Sequence, residues 1–482
     1  MSSVAEPTWF LLTETLVIAY VAVVNTTYLV LMLLAYFDLR DGSRRLAPEH
    51  RAALKHSPLL PAISVLAPCF NEAATIRESV QAMLKLEYPN YEVVVINDGS
   101  RDDTLAILIE AFRLYKSARA IGQTIQTKPI KAVYESRDPI RLVVIDKQNG
   151  GKADALNAGL RVARSPLVAI TDSDSLLDNE ALLLAAKPFL EDSATLAVGG
   201  IIRVANGCDI DAGRVVRVGV PRSFLAASQI IEYLRAFLGG RIAFSLLKSL
   251  LVISGAFGLF QREALITARG FDTRTVGEDM ELIVRLHHLW SRKRAPYRIV
   301  FVPDSLCWTQ VPERLKVLRA QRNRWQRGAV ESITRHAGLL FNPHYGTIGL
   351  FGLPYFALLE IVGPAVELLG YLLTVVGLIF GIVGIGTAIL FFTASIAYGL
   401  TLSVGAVLLA EMTERHYLGL GNLFRLLIVA VLEHFWLHQL MILWRTSGLI
   451  DGLRGKGGWG LMERKHFQQR KQRGAQAADA QR

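Results

Sequence analysis

The chain has 482 residues, 51% of them hydrophobic, and Lys plus Arg outnumber Asp plus Glu by 53 to 42, a formal net charge of +11. That length allows two or three domains, and three widely separated cysteines, Cys69, Cys208 and Cys307, supply no disulfide framework or structural zinc site and suit a reducing compartment. The basic excess does not point to nucleic acid: no helix-turn-helix, zinc knuckle or RNA-binding aromatic motif occurs, and Arg40, Arg44, Arg45, Arg445, Arg454 and Lys456 abut apolar stretches, as the positive-inside rule and anionic headgroups favour.

The first apolar stretch, Trp9–Phe37, exceeds the roughly 20 residues needed to span a bilayer. It has no basic leader and no small-residue cleavage site, so residues 1–40 read as a retained transmembrane anchor. A charged linker precedes the segment 60–310, where short apolar runs alternate with amphipathic helical patterns. Ile63–Ala67, Glu92–Ile96, Leu142–Ile145 and Val168–Ile170 read as buried strands. Solid apolar strands alternating with helices predict an α/β domain with a doubly wound, mostly parallel sheet. Residues 116–138 read as an irregular polar insertion, and Arg241–Phe260 as core-packed or interfacial rather than spanning. Within the segment 311–345, Leu315–Arg335 reads as an amphipathic helix on a membrane surface. Residues 346–445 are expected to hold about four spans, three of them between Gly346 and Ala410, which makes five in all and leaves 446–482 as a basic cytosolic tail. Glu360 and Glu367 fall inside this region, where a carboxylate needs a helix-packed, water-lined or interfacial setting.

In a doubly wound sheet, ligands bind beyond the carboxyl ends of the strands, and polar clusters stand at each such end. Thr171-Asp172-Ser173-Asp174 closes the fourth strand. Two carboxylates one residue apart suit Mg2+ or Mn2+ against a diphosphate, although Asp and Ser are also ordinary turn formers. Asp98, in Asn97-Asp98-Gly99-Ser100, can accept bonds from a base or ribose, or simply make an Asp-Gly turn. Lys152, after Asn149-Gly150-Gly151, can add charge to phosphate-binding amides at a helix start. Asp279, in Gly277-Glu278-Asp279, can act as a general base, with Glu278 as the alternative; the acids would equally match a helix dipole. Gln321 and Trp325 share a helical face. Arg324 beside them can pair with a diphosphate and Trp325 can pack on a sugar ring, or the group can serve as a basic interfacial anchor. His287 and His288 are expected to be packing or surface residues.

Taken together, Pro68–Glu72, Asn97–Ser100, Gly150–Ala153, Asp172–Asp174, Ser254–Gly258, Gly277–Asp279 and Gln321–Trp325 resemble the membrane-embedded, processive family-2 glycosyltransferases, which include the poly-N-acetylglucosamine, hyaluronan and cellulose synthases. The resemblance implies a GT-A-type sheet in a cytosolic domain joined to α-helical transmembrane segments, in the inner membrane with the active site facing the cytoplasm. It implies that Asn71, Glu72, Asp98, Lys152, Asp172, Gln321 and Arg324 bind the nucleotide donor, that Asp172 and Asp174 hold the metal, and that Asp279 is the base. It places Phe257, Gly258 and Trp325 at the acceptor, and Trp459 in a tail motif that gates the nucleotide. The triplet carries Gly277 where many cellulose synthases have Thr, which points away from cellulose.

The expected activity is an inverting, processive transfer from a UDP-activated hexose or N-acetylhexosamine to a growing β-linked polysaccharide, which then crosses the bilayer. The partners so implied are the UDP-sugar, the polysaccharide, the lipid bilayer and an accessory export or regulatory subunit, with no nucleic acid. The competing readings are a non-processive transferase that glycosylates a membrane lipid, and a channel or transporter whose soluble part only binds nucleotide.

Overall fold

The computed structural model describes residues 8–42, 48–138, 140–211, 213–414 and 419–456. They form two compact units. A sheet unit draws on Gly42–Pro221 and Ser245–Val311, and a helical unit on Met1–Asp41, Arg222–Phe244 and Pro312–Gly460.

The sheet unit is built on twelve strands: β1 (Ile63–Cys69), β2 (Tyr91–Asn97), β3 (Leu114–Lys116), β4 (Ile130–Ser136), β5 (Leu142–Lys147), β6 (Leu167–Thr171), β7 (Leu176–Leu177), β8 (Thr195–Val204), β9 (Asp209–Asp211), β10 (Arg214–Arg217), β11 (Phe257–Gln261) and β12 (Arg298–Thr309). Ten of them make one sheet in the order β3-β4-β5-β2-β1-β6-β11-β8-β12-β7, and β9 pairs with β10 separately. The four strands read from sequence, β5, β2, β1 and β6, pair in parallel at its centre. Their middles are entirely buried, because Val, Ile and Leu on both faces have helices to pack against.

One expectation is corrected here and another holds. The supposed insertion 116–138 contains β4, antiparallel to both β3 and β5. Only Val133 of β4 is fully buried, so this strand keeps a polar sequence that imitates a loop. The segment 241–260 does not span, as expected, and it ends in the buried strand β11. That strand runs antiparallel between β6 and β8, and Phe257 stands opposite Thr171. Ser254–Ala256 therefore arrive at the same sheet end as Asp172.

In the helical unit, two helices among the described residues are long and apolar enough to cross a membrane, Thr15–Asp41 and Ile348–Ile379. Leu420–Phe435 and Leu437–Leu453, bent by 56°, would make a third if they form one span. The expected three spans between residues 346 and 410 reduce to two long helices, Ile348–Ile379 and Ile385–Glu414. Gly363-Pro364 does not end the first of them. Pro364 sits in the first turn of Gly363–Ile379, directly after the π-helical turn Phe356–Val362, where its missing N–H costs little. Glu360 accepts bonds from Tyr28 Oη and from Arg445 Nη2 at 3.0 Å. Glu367 meets Tyr371 Oη at 2.8 Å and His438 Nε2 at 2.9 Å. Both carboxylates are thus packed between helices with partners, the arrangement that makes a charge tolerable there.

Candidate active site

The site begins where β1, β2, β5 and β6 end. Gly99, at φ +69°, turns the chain after β2 so tightly that a Cβ would lie 2.7 Å from Asn149 N; a left-handed residue with no room for a side chain must be glycine. The loops are then tied to one another. Asn71 N donates to Ser100 Oγ at 3.0 Å, and Asn71 Oδ1 accepts Arg101 N at 2.8 Å. Glu72 is buried and accepts Ser173 Oγ at 2.6 Å, so it holds the middle residue of Asp172-Ser173-Asp174. Asp98 is also buried, its carboxylate accepting Lys147 Nζ at 2.6 Å, Gly150 N at 3.0 Å and Gly151 N at 2.8 Å.

Beyond these loops the expected residues converge. Lys152 opens the helix Lys152–Val162. Its Nζ lies 2.5 Å from Asp172 Oδ1, 3.7 Å from Glu278 Oε1 and 3.2 Å from Gly255 O. Glu278 and Asp279 open the helix Glu278–Lys293, with Glu281 also in the first turn, where the helix dipole favours acids. Asp279 Oδ2 accepts the Gly255 amide at 3.2 Å. A cavity of about 20 Å³ is lined by Lys152, Ile253, Ser254, Gly255, Gly258, Glu278 and Asp279, among others; that is room for about one water. Gly255 keeps the convergence open, because a Cβ there would lie 2.9 Å from Lys152 Nζ. Gly258 borders the cavity, but Phe257, expected at the acceptor, has its side chain wholly buried in the sheet.

The electrostatics are those of crowded carboxylates around one cation. Burial, and then the Asp172 charge, push Asp174 up to about 6. Burial pushes Glu278 up to about 7 against the pull of Lys152, with Asp279 adding repulsion. Burial opposes the charge on Lys152, but Asp172, Glu278 and Asp279 outweigh it and hold its pKa above the ordinary lysine value. A site with more negative charge than its lysine can balance is matched to a further cation. Asp172 and Asp174 are hard oxygen donors of the kind Mg2+ and Mn2+ take together with waters and phosphate oxygens. Among the described residues no group of three or more His, Cys, Asp or Glu placed to hold a metal ion occurs.

Gln321, Arg324 and Trp325 lie on the helix Leu315–Arg335 of the helical unit. Between the first two stands Arg322, which by sequence belongs to the basic face of an interfacial anchor. It is 2% exposed. It donates to Gln321 Oε1 at 2.7 Å and Glu232 Oε2 at 2.5 Å, and its guanidinium sits 4.3 Å from the centre of the Trp325 ring. One buried arginine thus sets the position of two members of the motif. Trp459 lies outside the described residues.

A model of the Glycosyl transferase family group 2 matches residues 167–410, just over half of the chain, and one of Glycosyl transferase family 2 matches residues 64–267. The chain is a family-2 glycosyltransferase. It is similar to poly-beta-1,6-N-acetyl-D-glucosamine synthase of Staphylococcus epidermidis, 30% identical over 273 residues, which are 57% of this chain and 56% of that one. With the protein of the same name from Staphylococcus aureus strain COL it is 31% identical over 279 residues, at the same coverage. The transferase therefore matches little more than half the length of these relatives. A solved mannosyltransferase, PcManGT from Pyrobaculum calidifontis in complex with GDP-Man and Mn2+, superposes with a TM-score of 0.51 at 19% identity, over 92% of this chain and all of that one. That likeness carries the fold, and the GT-A-type sheet expected from the motifs is the one present.

In this glycosyltransferase the sequence motifs mark the residues around the cavity but not those behind them. Lys147 and Arg322 are invisible in sequence because a lysine at a strand end and an arginine in a basic helix ordinarily face water. What buries them are carboxylates supplied by other segments, Asp98 and Asp154 for one and Glu232 for the other.

Proposed function

We propose that the transferase polymerises a UDP-activated N-acetylhexosamine or hexose into a β-linked polysaccharide with inversion at the sugar carbon. N-acetylglucosamine is the first candidate, from the named activity of the staphylococcal relatives. The observation that carries the reading is the convergence of Asp279, Gly255 and Lys152 on one cavity, with Asp172 paired to Lys152 at 2.5 Å. Asp279, held by the Gly255 amide, takes the proton of the acceptor hydroxyl as its oxygen bonds to the anomeric carbon. The bond from that carbon to the diphosphate breaks on the opposite face, and UDP leaves with the electron pair. Lys152 offsets charge on the departing phosphates. Mg2+ or Mn2+ held by Asp172 and Asp174 would act as a Lewis acid on the same leaving group. The assignment of Gln321 and Arg324 to the diphosphate, and of Trp325 to the acceptor end, rests on their motif.

The helical unit is proposed to lie in the inner membrane as a multi-pass assembly, with the active site on the cytoplasmic side and the product passing across the bilayer. Supporting it are the apolar helices Thr15–Asp41 and Ile348–Ile379 and the basic residues that flank the apolar segments.

The deciding experiment is UDP release by the purified, lipid-supplied protein over a panel of UDP-sugars with Mg2+ or Mn2+, followed by sizing of the product. Turnover of one or two donors into a ladder of oligomers is expected. One sugar per lipid acceptor would replace polymerisation by lipid glycosylation, and no turnover of any donor would overturn the reading. Asp279→Asn should lower the rate by about 100-fold or more while leaving UDP binding in place; a variant that still turns over at the native rate would remove Asp279 from the role of base.

A further inference from the structure

Lys147 ends β5 with no solvent exposure at all. An ammonium group has three N–H bonds, and each has an acceptor here: Asp98 Oδ1 at 2.6 Å, Asp154 Oδ2 at 2.6 Å and Gln148 O at 2.5 Å. The two carboxylates carry the connection onward. Asp98, just past β2, accepts the Gly150 and Gly151 amides, and its backbone oxygen accepts Asn149 Nδ2 at 2.7 Å. Asp154, in the first turn of the helix Lys152–Val162, accepts Lys128 N at 3.0 Å from the segment ahead of β4. One cation therefore fastens together the ends of β2 and β5, the Gly150-Gly151 turn, the start of a helix and the segment ahead of β4.

Stability alone is a poor reason for this arrangement. A buried ion cluster is often no more stabilising than apolar side chains of the same volume. What it adds is direction: Asp98 is held with its oxygens on the two glycine amides, and Gly151 stands at φ +87° as the residue before Lys152. We propose that Lys147 is a positioning residue of the nucleotide-donor site. By fixing Asp98 against the Gly150 and Gly151 amides it sets where the helix begins, and so where Lys152 presents its ammonium to the diphosphate. Lys147 touches no substrate, and its influence passes through Asp98 and the glycine turn. This inference rests on the donor reading of Lys152 given above.

The test is UDP binding by titration calorimetry on the full chain in detergent with Mg2+, beside thermal melting. The double variant Lys147→Met/Asp154→Asn removes one positive and one negative charge together and leaves no new net buried charge. It is expected to melt near the native temperature and to bind UDP about tenfold more weakly at full stoichiometry, the effect of one misdirected charge-assisted contact. Native affinity in the folded variant, or reduced stoichiometry at native affinity, would show that Lys147 only helps the chain fold and would overturn the inference. Lys147→Arg keeps the charge but changes the donor geometry; should the double variant not fold, native UDP affinity in the arginine variant overturns the inference in the same way. Failure of the native protein to bind UDP would instead sink the donor reading, and this inference with it.

Discussion

Arg322 shows how a motif is held by a residue that its own pattern leaves unspecified. Lysine at this position could still reach Glu232, but it cannot bond to Gln321 and cover the Trp325 ring at the same time, since both depend on the flat, forked guanidinium. Arg322→Lys is therefore expected to leave the melting temperature within a few degrees while lowering UDP release by roughly tenfold or more, the worth of one directed contact of this type. The comparison that checks it is an initial-rate assay beside a thermal melt on the same preparation. Equal losses in both would mean that Arg322 acts on folding alone. The crowded acids make the opposite point. Burial pushes Asp174 and Glu278 up, and repulsion from Asp172 on one and Asp279 on the other adds to it against the pull of Lys152; groups perturbed in this way collect where chemistry is done.

At the scale of single elements, the helix Glu278–Lys293 joins the site to the core. Its first turn carries Glu278 and Asp279, and two turns on it buries His287, whose Nε2 meets Leu250 O at 2.9 Å and whose Nδ1 meets Tyr297 Oη at 2.9 Å. Burial pushes the His287 pKa down from 6.5 to about 4. The folded state therefore refuses a proton that the unfolded state accepts between these values. The stability is fully present above about pH 6.5 and drains away as pH falls toward 4, by a total of ~3 kcal/mol. Melting curves across that range should show the decline, and His287→Gln, which keeps a donor for Leu250 O, should flatten it; an unchanged slope in the variant would assign the decline to other groups. The same helix shows what sequence can and cannot reveal. Its acids, and the apolar runs of β1, β2, β5 and β6, are legible because fully buried strands and helix starts have strong local signatures. β4 is not, since a strand with one fully buried residue keeps a loop-like composition. Nor is β8, where Gly199 and Gly200 interrupt the apolar run only because Ile253 and Leu306 crowd against them, a fact of tertiary packing. Lys147 lies beyond reach for the same reason: its partners are Asp98, before it in the chain, and Asp154, after it.

For the molecule as a whole, the helical unit is held by polar ties among apolar helices. The Glu360–Arg445 pair, extended by Tyr28 and by Gln326, which donates to Ile361 O at 2.9 Å and accepts Arg445 Nε at 3.1 Å, links four stretches of chain. Removing one member of such a pair leaves a charge without its partner, which costs more than removing both. Glu360→Gln and Arg445→Met should therefore each lower the melting temperature in detergent, and the double variant should recover most of the loss. Additive losses would mean that the two side chains act independently. The strand order of the sheet unit has a different consequence. Asp98, Lys152 and Asp172 all follow strands of the parallel centre, β2, β5 and β6, whereas Gly255 and Asp279 enter more than eighty residues later, on either side of the antiparallel β11. On the roles proposed above, recognition of the activated sugar's carrier and attack by the incoming hydroxyl are encoded in separate stretches of gene. One half can drift toward a new acceptor while the other keeps its grip on the same nucleotide, so a lineage built on this plan can diversify its products without reinventing its fuel.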